Sequence, residues 1–244
     1  MKERVKLIML GFEKYLINWK RIEKFKNDFF EISGVEYIHE LPEPKLPSDY
    51  LDVVYSRNET SRIMQNIAGN EIVLGIMNFR FEDNFYLHRT GEKSACLSLY
   101  LIDEILLSRG ISIENFIIKN IFEIILLKKC AGSISGDNVY QFVHQETRKC
   151  LFDMNGDKND VIFNTEKPLL CGACKNQIDK MPLPAKFTHK LEKNLKKIKK
   201  PKIIRIEKFI KKYPLLSLLI TVLTTIILNI GSDYLWYILE MKFG

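Results

Sequence analysis

The chain has 244 residues, of which 46% are hydrophobic and 27% are charged, and its formal net charge is +7. This composition is that of a globular protein and excludes an intrinsically disordered one. The positive charge is uneven, because residues 186–212 contain twelve Lys and Arg against two Glu. Residues 213–244 sum to −1, so residues 1–185 sum to −2, and the charge of this body gives no reason to expect nucleic-acid binding. Abundant Lys, Ile and Asn are typical of an AT-rich bacterial genome.

The N-terminal segment is predicted to be a helix. Its apolar residues fall on one broad face at helical spacing between Lys2 and Ile32. Three prolines, Pro42, Pro44 and Pro47, then predict a rigid, extended connection. We therefore expect residues 1–48 to form a helix and a proline-rich connection in front of the main domain.

Residues 49–185 show strands alternating with helices, which indicates an α/β or α+β domain. The predicted strands are Tyr50–Tyr55, Glu71–Asn78 and Ala95–Tyr100, and the second is apolar enough to be central in a sheet. The predicted helices are Asn58–Ala68, capped by Asn58, Ile102–Leu107 and Ile113–Cys130, while Phe79–Arg89 is predicted to be an irregular loop.

Four potential metal ligands cluster in the second half of this domain. His144, Cys150, Cys171 and Cys174 follow the order H-x5-C-x20-C-x2-C. One imidazole and three thiolates are ligands that tetrahedral Zn²⁺ takes in closed, structural sites. Five cysteines in a cytoplasmic body favour thiols over disulfides, so the pattern predicts one structural zinc ion. The alternative is that the cysteines are simply buried and unconnected.

The segment between the ligands, Leu151–Leu170, is predicted to form a short hairpin-like excursion that turns at Asn155-Gly156. The aspartates around this turn lack a Glu at the offset that a calcium loop requires. Outside the cluster, Cys96 and Cys130 are interpreted as buried small side chains. The remaining histidines, His39, His88 and His189, are interpreted as surface or internally satisfied groups.

The ligand segment resembles archaemetzincins, which are zinc peptidases with a catalytic HExxHxxGxxH stretch and a second, structural zinc held by four cysteines. His144 corresponds to the last His of that stretch, Cys150 to the second Cys, and Cys171 and Cys174 to the distal pair. Gln145 occupies the position of the first Cys. The resemblance covers residues 50–180 and implies a zincin-like α/β (α+β) domain with a structural zinc site.

The chain departs from this family at the catalytic positions. Counting back from His144, the HExxH positions fall on residues 134–138, which read ISGDN. Peptidase chemistry needs two His on one helical turn and a Glu beside them. Glu123, on the predicted helix, has Phe122 and Leu126 where those histidines would be. The resemblance therefore implies a fold and a structural zinc, no catalytic residues, and His144 as the fourth structural ligand.

A zinc-dependent hydrolase is the enzyme alternative, either a deaminase or an active archaemetzincin-type metallopeptidase. His144-Gln145-Glu146 and the Cys171/Cys174 pair fit the H-x-E and C-x-x-C spacing of zinc deaminases. Three features disagree with a deaminase. Leu170 stands where that family has Pro, and Cys150 would have no role. A deaminase also needs a helix after its Glu, whereas Asp153–Asp160 is rich in helix breakers.

Residues 214–230 contain no charged residue and are long enough to cross a hydrocarbon core as a helix. Aromatic residues typical of membrane interfaces flank this stretch, at Tyr213, Tyr234, Trp236 and Tyr237. We therefore expect a transmembrane helix and its interfacial end over residues 213–239. The alternative is a buried core helix of a soluble protein.

Residues 186–212 are predicted to be a basic juxtamembrane stalk that contacts anionic lipid headgroups. Because basic flanks stay cytoplasmic, the body is expected in the cytoplasm and Ser232–Gly244 on the other side. The predicted membrane-surface residues are Lys196, Lys197, Lys199, Lys200, Lys202, Arg205, Lys208, Lys211 and Lys212.

These features predict a single-pass cell-membrane protein with a cytoplasmic, zinc-binding, non-catalytic body. Its expected role is that of a sensor or interaction module, with a protein partner or a second copy of itself. A membrane-disrupting effector of a bacterial conflict or anti-phage system is the alternative, by analogy of layout alone.

Overall fold

The computed structural model describes residues 2–14, 16–45, 53–67, 69–199 and 202–243, and it divides into two compact units, Met1–Lys199 and Lys200–Gly244. The strands are β1 (Glu3–Leu10), β2 (Phe30–Ile38), β3 (Val54–Tyr55), β4 (Ile72–Met77), β5 (Arg80–Phe81), β6 (Leu87–Arg89) and β7 (Ser94–Ser98). The α-helices are α1 (Trp19–Glu23), α2 (Arg57–Ile67), α3 (Ile102–Leu107), α4 (Ile113–Ala131), α5 (Val161–Glu166), α6 (Gly172–Asp179), α7 (Phe187–Leu195), α8 (Lys202–Lys212) and α9 (Pro214–Phe243).

The first unit is built on a five-stranded sheet with the order β2-β1-β4-β7-β6. Neighbouring strands are parallel, except that β6 runs antiparallel to β7 at one edge. Strands β3 and β5 form a separate parallel pair. The mixed α/β architecture predicted from the sequence is confirmed, and β4 is the central strand of the sheet.

The inner strands bury both of their faces. In β1, Val5, Leu7 and Met9 contribute to a large core that includes α4, while Ile8 and Leu10 contribute to a smaller core beneath α2. A strand buried on both faces has no polar alternation, so its apolar run is easily mistaken for a helix. The predicted N-terminal helix is therefore wrong: the segment Lys2–Ile32 contains β1, the short α1 and the start of β2.

Helices α2, α3 and α4 lie close to their predicted bounds. The N-terminus of α2 is capped by Ser56 instead of Asn58, because the Ser56 hydroxyl accepts the N–H of Glu59 at 3.3 Å and Glu59 accepts the N–H of Ser56 at 2.8 Å. Helix α4 ends where Gly132 takes a left-handed conformation, with φ of 79°.

The predicted strand Tyr50–Tyr55 lies partly outside the described residues, and its end forms β3. The predicted loop Phe79–Arg89 is wrong in part, since it contains β5 and β6. These strands are only two and three residues long, which is too short for any periodic pattern to reveal.

Strand β2 forms the other edge of the sheet and is irregular. Its pairing with β1 shifts register between Val5 and Lys6, so that one residue, Ser33, is left without a paired position. Glu36 of this strand pairs with Lys6 at 2.7 Å.

The predicted stalk over residues 186–212 is wrong in its first part, which contains helix α7. Leu191, Leu195 and Ile198 are buried in the core of the first unit, so the folded body continues to Lys199. Of the predicted membrane-surface residues, Lys196, Lys197 and Lys199 belong to the first unit. Lys211 and Lys212 are exposed on α8. Lys200 lies outside the described residues. The backbone of α8 is described at the other three positions, but their side chains are not: Lys202, Arg205 and Lys208.

The second unit consists of α8 and α9. The segment Pro214–Ser232 of α9 is long and apolar enough to cross a membrane, with a mean hydropathy of 2.1 and none of its window buried. The hydroxyls of Thr221, Thr224 and Thr225 donate to carbonyls four residues earlier, so the helix satisfies its own polar groups.

Candidate metal centre

The first two candidate ligands lie on a loop held by backbone pairing. The N–H of His144 donates to the Phe152 carbonyl at 3.1 Å, and the His144 carbonyl accepts the Met154 N–H at 2.8 Å. The N–H of Leu151 donates to the Leu169 carbonyl at 2.8 Å. These bonds fold the chain back on itself and bring Cys150 close to the second pair of ligands.

The second pair lies at the start of α6. Cys171 is the residue before the first turn and Cys174 lies within that turn. A helix N-terminus presents unpaired N–H groups and a positive partial charge, both of which favour thiolates. The C-G-A-C sequence is therefore the beginning of a helix, and its spacing places both sulfur atoms on one side of the turn.

The four predicted ligands come together. Their ligand atoms all lie within 4.8 Å of one another. Nε2 of His144 is 3.0 Å from Sγ of Cys174 and 3.2 Å from Sγ of Cys171, and the Sγ atoms of Cys150 and Cys174 are 3.9 Å apart. A tetrahedral ion with metal–sulfur bonds of about 2.3 Å has S···S edges of about 3.8 Å. The arrangement is compatible with a structural metal site.

The cluster is set up to hold negative charge on sulfur. The pKa of Cys150 is lowered to about 5, first by its hydrogen bond with the Cys174 thiol and also by the backbone N–H groups of Cys171 and Phe152. The same hydrogen bond raises the pKa of Cys174, which is buried. Cysteine binds a metal ion as the thiolate, so binding of a cation at this cluster would release the proton of a thiol.

Asp153 is a positioning residue that the sequence analysis missed. One of its carboxylate oxygens accepts the N–H groups of Arg148 and Cys150, at 2.8 and 2.9 Å, and the residue is buried. It thereby fixes the turn that presents the Cys150 sulfur. The signal in the sequence was an Asp three residues after a ligand, which is a common pattern for a carboxylate that closes a turn.

The predicted hairpin between the ligands is wrong. Residues Leu151–Leu170 contain a 3-10 helix at Lys158–Asp160, followed by α5. The Asn164 amide donates to the Cys150 carbonyl at 3.2 Å, so α5 supports the ligand loop directly. Asn155 has a positive φ of 49°, as a turn there would require.

Glu146 lies outside the cluster. Its side chain is 79% exposed and pairs with Arg148 at 3.0 Å. Cys150, which a deaminase would not need, is part of the cluster. The cluster therefore contains four protein ligands and places no carboxylate of the H-x-E sequence beside them.

Two buried polar networks elsewhere were missed by the sequence analysis. On α4, Glu123 accepts from Lys119 at 2.7 Å and from Arg89 at 2.9 Å. Burial alone would lower the pKa of Lys119, but Glu123 beside it holds that pKa above its ordinary value. Glu123, which the sequence analysis compared with the Glu of an HExxH stretch, is thus paired with two cationic side chains.

The second network contains His88. The Thr60 hydroxyl is 2.9 Å from Nδ1 of His88, and Asp83 is 3.1 Å from Nε2. Thr60 and His88 are fully buried, so this hydroxyl is not open to a substrate. His88 is therefore an internally satisfied group, one of the two outcomes expected for it.

Comparison of the chain with protein-family models, with curated proteins and with solved structures finds no match. The resemblance to archaemetzincins consequently stays a prediction that rests on the residues quoted for it.

Proposed function

We propose that this chain is a membrane-anchored zinc protein whose cytoplasmic body is non-catalytic and serves as a sensor or interaction module. The observation that carries the proposal is the His144, Cys150, Cys171, Cys174 cluster, in a chain that also holds an apolar helix long enough to cross a bilayer. The zincin-like relationship is part of the same proposal. Its support is the ligand pattern and the α/β body.

Zinc is the best match to the donor set. Three sulfurs and one imidazole suit a soft, tetrahedral ion, whereas Mg²⁺ and Ca²⁺ require oxygen ligands. A four-ligand shell leaves no open position for substrate or water, so the chemistry this ion supplies is structural. His144 and Cys150 would anchor the ligand loop, and Cys171 and Cys174 would tie it to α6.

The membrane assignment is supported by exposure. Leu215, Leu218, Ile227 and Leu228 are each at least 62% exposed in the described structure. Apolar surface of this extent is unfavourable in water and favourable in hydrocarbon. Positive charge before the apolar segment supports a cytoplasmic body.

Metal analysis of the full chain in neutral detergent tests the metal centre. We expect one zinc per chain by elemental mass spectrometry, and loss of that zinc in Cys150→Ser and in His144→Ala. The matched control is Cys130→Ser, because Cys130 lies outside the cluster and should keep full occupancy. Unchanged zinc in both ligand variants would show that the ligand set is wrong.

The role at the membrane is tested in living cells. An interaction module predicts that expression of the full chain leaves the membrane potential of a bacterial host unchanged. Depolarisation that requires α9 and survives Cys150→Ser would instead support the membrane-disrupting alternative. Either outcome is read with a potential-sensitive dye, and membrane fractionation in parallel confirms that the chain is inserted.

A further inference from the structure

A basic groove lies on the surface of the first unit, between α1 and the end of α7. Its volume is about 510 Å³. The residues that line it are Asn18, Lys20, Arg21, Lys24, Phe25, Lys26 and Lys197. Five of these seven side chains are cationic, although residues 1–185 as a whole are slightly acidic. Folding thus concentrates positive charge from two distant parts of the chain.

The two sides of the groove are bonded to each other. Lys197 donates to the Lys26 carbonyl at 3.1 Å, and Asn194 donates to Asp28 at 2.8 Å. The second bond involves an acidic residue next to the groove, whose pKa is lowered by that Asn194 amide. The groove is therefore a fixed part of the body, and the Asp28 carboxylate next to it already has a partner.

Arg21 has a structural role at the base of the groove. Its guanidinium donates to Glu114 at 2.9 Å and to Asn115 at 2.6 Å, both on α4. The same guanidinium donates to the Lys199 carbonyl at 3.4 Å, and Asn115 donates to that carbonyl at 3.1 Å. Lys199 is the last residue of the first unit, so the point where the chain leaves the body is fixed beside the groove.

The lysines around this point are directed outward. Lys20, Lys24, Lys26, Lys196 and Lys197 are all exposed. From Lys199 the chain continues through residues 200 and 201 into α8, which exposes both apolar and basic side chains, and then into the apolar α9. Helices with this combination of side chains bind the interface of anionic bilayers.

We propose that this groove is a binding site for the headgroups of anionic phospholipids, and that it holds the body against the membrane that α9 crosses. Phosphate oxygens are the ligands that clustered ammonium groups prefer, and the inner leaflet of a bacterial membrane presents them at high density. The inference rests on the proposed membrane anchoring. It adds that the body itself recognises lipid charge, through residues 20–26, which the sequence analysis did not assign to the membrane.

Trp19, which lies between the groove residues Asn18 and Lys20 in the sequence, offers a natural probe. The chain contains two tryptophans, so Trp236→Phe leaves Trp19 as the only donor. We would place this full-length protein in nanodiscs that contain a dansyl-headgroup lipid, made of phosphatidylcholine alone or mixed with phosphatidylglycerol. Energy transfer from Trp19 to the dansyl group then reports how close the groove is to the headgroups.

We expect greater transfer on the anionic discs, and loss of the increase when salt is raised, because the Debye length is about 10 Å at 0.1 M and falls to about 3 Å at 1 M. Lys24→Glu/Lys26→Glu should remove the increase. Lys167→Glu/Lys180→Glu changes the net charge equally at exposed positions that do not line the groove, and should retain it.

Two outcomes would overturn the proposal. One is equal transfer on neutral and anionic discs. The other is saturable binding of inorganic phosphate or pyrophosphate on neutral discs, lost in Lys24→Glu/Lys26→Glu, which would assign the groove to a soluble anion. Failure of the anchoring itself is distinguishable, because a chain that is not inserted does not float with vesicles in a density gradient.

Discussion

Helices α4 and α9 are both long and apolar, yet α4 is buried within the protein and α9 is not. Helix α4 has 19 residues and is buried from Glu114 to Leu127, so protein surrounds it on every side. Helix α9 has 30 residues, and none of the apolar window within it is buried. The comparison shows that apolar content alone does not separate a core helix from a membrane helix.

Their polar residues make the distinction. Within the buried length of α4, Glu114 and Glu123 each accept from an arginine outside the helix, Arg21 and Arg89, and Lys119 pairs with Glu123 on the helix itself. Helix α9 has hydroxyls that donate to its own backbone, at Thr221, Thr224 and Thr225. A helix that needs partners from outside is built for a protein interior, whereas one that satisfies itself is suited to lipid.

The largest expected effect is on insertion of α9. Leu219→Arg/Leu223→Arg places two charges near the middle of the apolar segment, each costing about 2.5–3.5 kcal/mol in membrane insertion. The chain should move from the membrane fraction to the soluble or aggregated fraction after carbonate extraction. Leu219→Phe/Leu223→Phe is the matched control and should remain inserted. An inserted double-arginine variant would mean that α9 is not a spanning helix.

The next effect compares two ion pairs, one in each unit. Glu123→Gln leaves the Lys119 ammonium buried beside an uncharged amide, and removing one partner of a buried pair costs about 3–5 kcal/mol. Glu207→Gln removes the exposed pair with Lys211 on α8, which is worth about 0.3–0.5 kcal/mol. Thermal unfolding of the full chain in detergent, followed by near-UV circular dichroism, measures both. Equal destabilisation would show that the α4 network is solvated.

A third effect contrasts two threonines. Thr60→Val removes a buried hydroxyl that bonds His88, and an unsatisfied buried group costs about 1–3 kcal/mol. Thr224→Val removes a hydroxyl that bonds only its own helix, and a change within about 0.5 kcal/mol is expected. Denaturant titration of both variants provides the free energies of unfolding. A large loss in Thr224→Val would indicate a contact of α9 with another protein segment.

The smallest effect is a pH dependence that belongs to the first unit, since residues 200–244 contain no His. Burial lowers the pKa of His88, opposed in part by Asp83, so the folded state prefers the neutral ring. The unfolded ring titrates near a pKa of about 6.5, so this stabilisation is complete above that pH and is lost as the pH falls toward the folded pKa.

We therefore expect the free energy of unfolding to decrease from neutral pH to mildly acidic pH. His88→Phe should flatten this slope, while His189→Gln, at an exposed position on α7, should leave it unchanged. The Asp83 carboxylate that faces His88 titrates at lower pH because its pKa is lowered, so it does not account for a change in this range.

Much of the candidate metal centre was predictable because its signal is local. The four ligands are of rare types, and two of them are three residues apart, so spacing alone identified the set that the structure brings together. Asn164 and the α5 helix were missed because they support the loop through a bond to the Cys150 carbonyl, which leaves no characteristic side-chain pattern. Asp153 was missed because the aspartates of this segment were compared only with a calcium loop.

The fold was predictable where a helix or strand has a clear period, as in α2, α4 and β4. The prediction failed at β1, because burial on both faces removes the alternation of polar and apolar residues that identifies a strand. The prediction failed again at α7, because the lysines of this segment suggested a solvated stalk. The spacing of Leu191, Leu195 and Ile198 was the overlooked signal, since residues four and three apart form one apolar face.

The irregular edge strand β2 has a consequence for a protein concentrated on a two-dimensional surface. An exposed strand with regular spacing is a template on which the strand of a neighbouring copy can add, and repetition leads to fibrils. The extra residue at Ser33 interrupts that template, and Glu31 and Glu36 place like charges along the same edge. In the proposed membrane-anchored state, this edge would therefore disfavour the addition of a strand from a neighbouring copy.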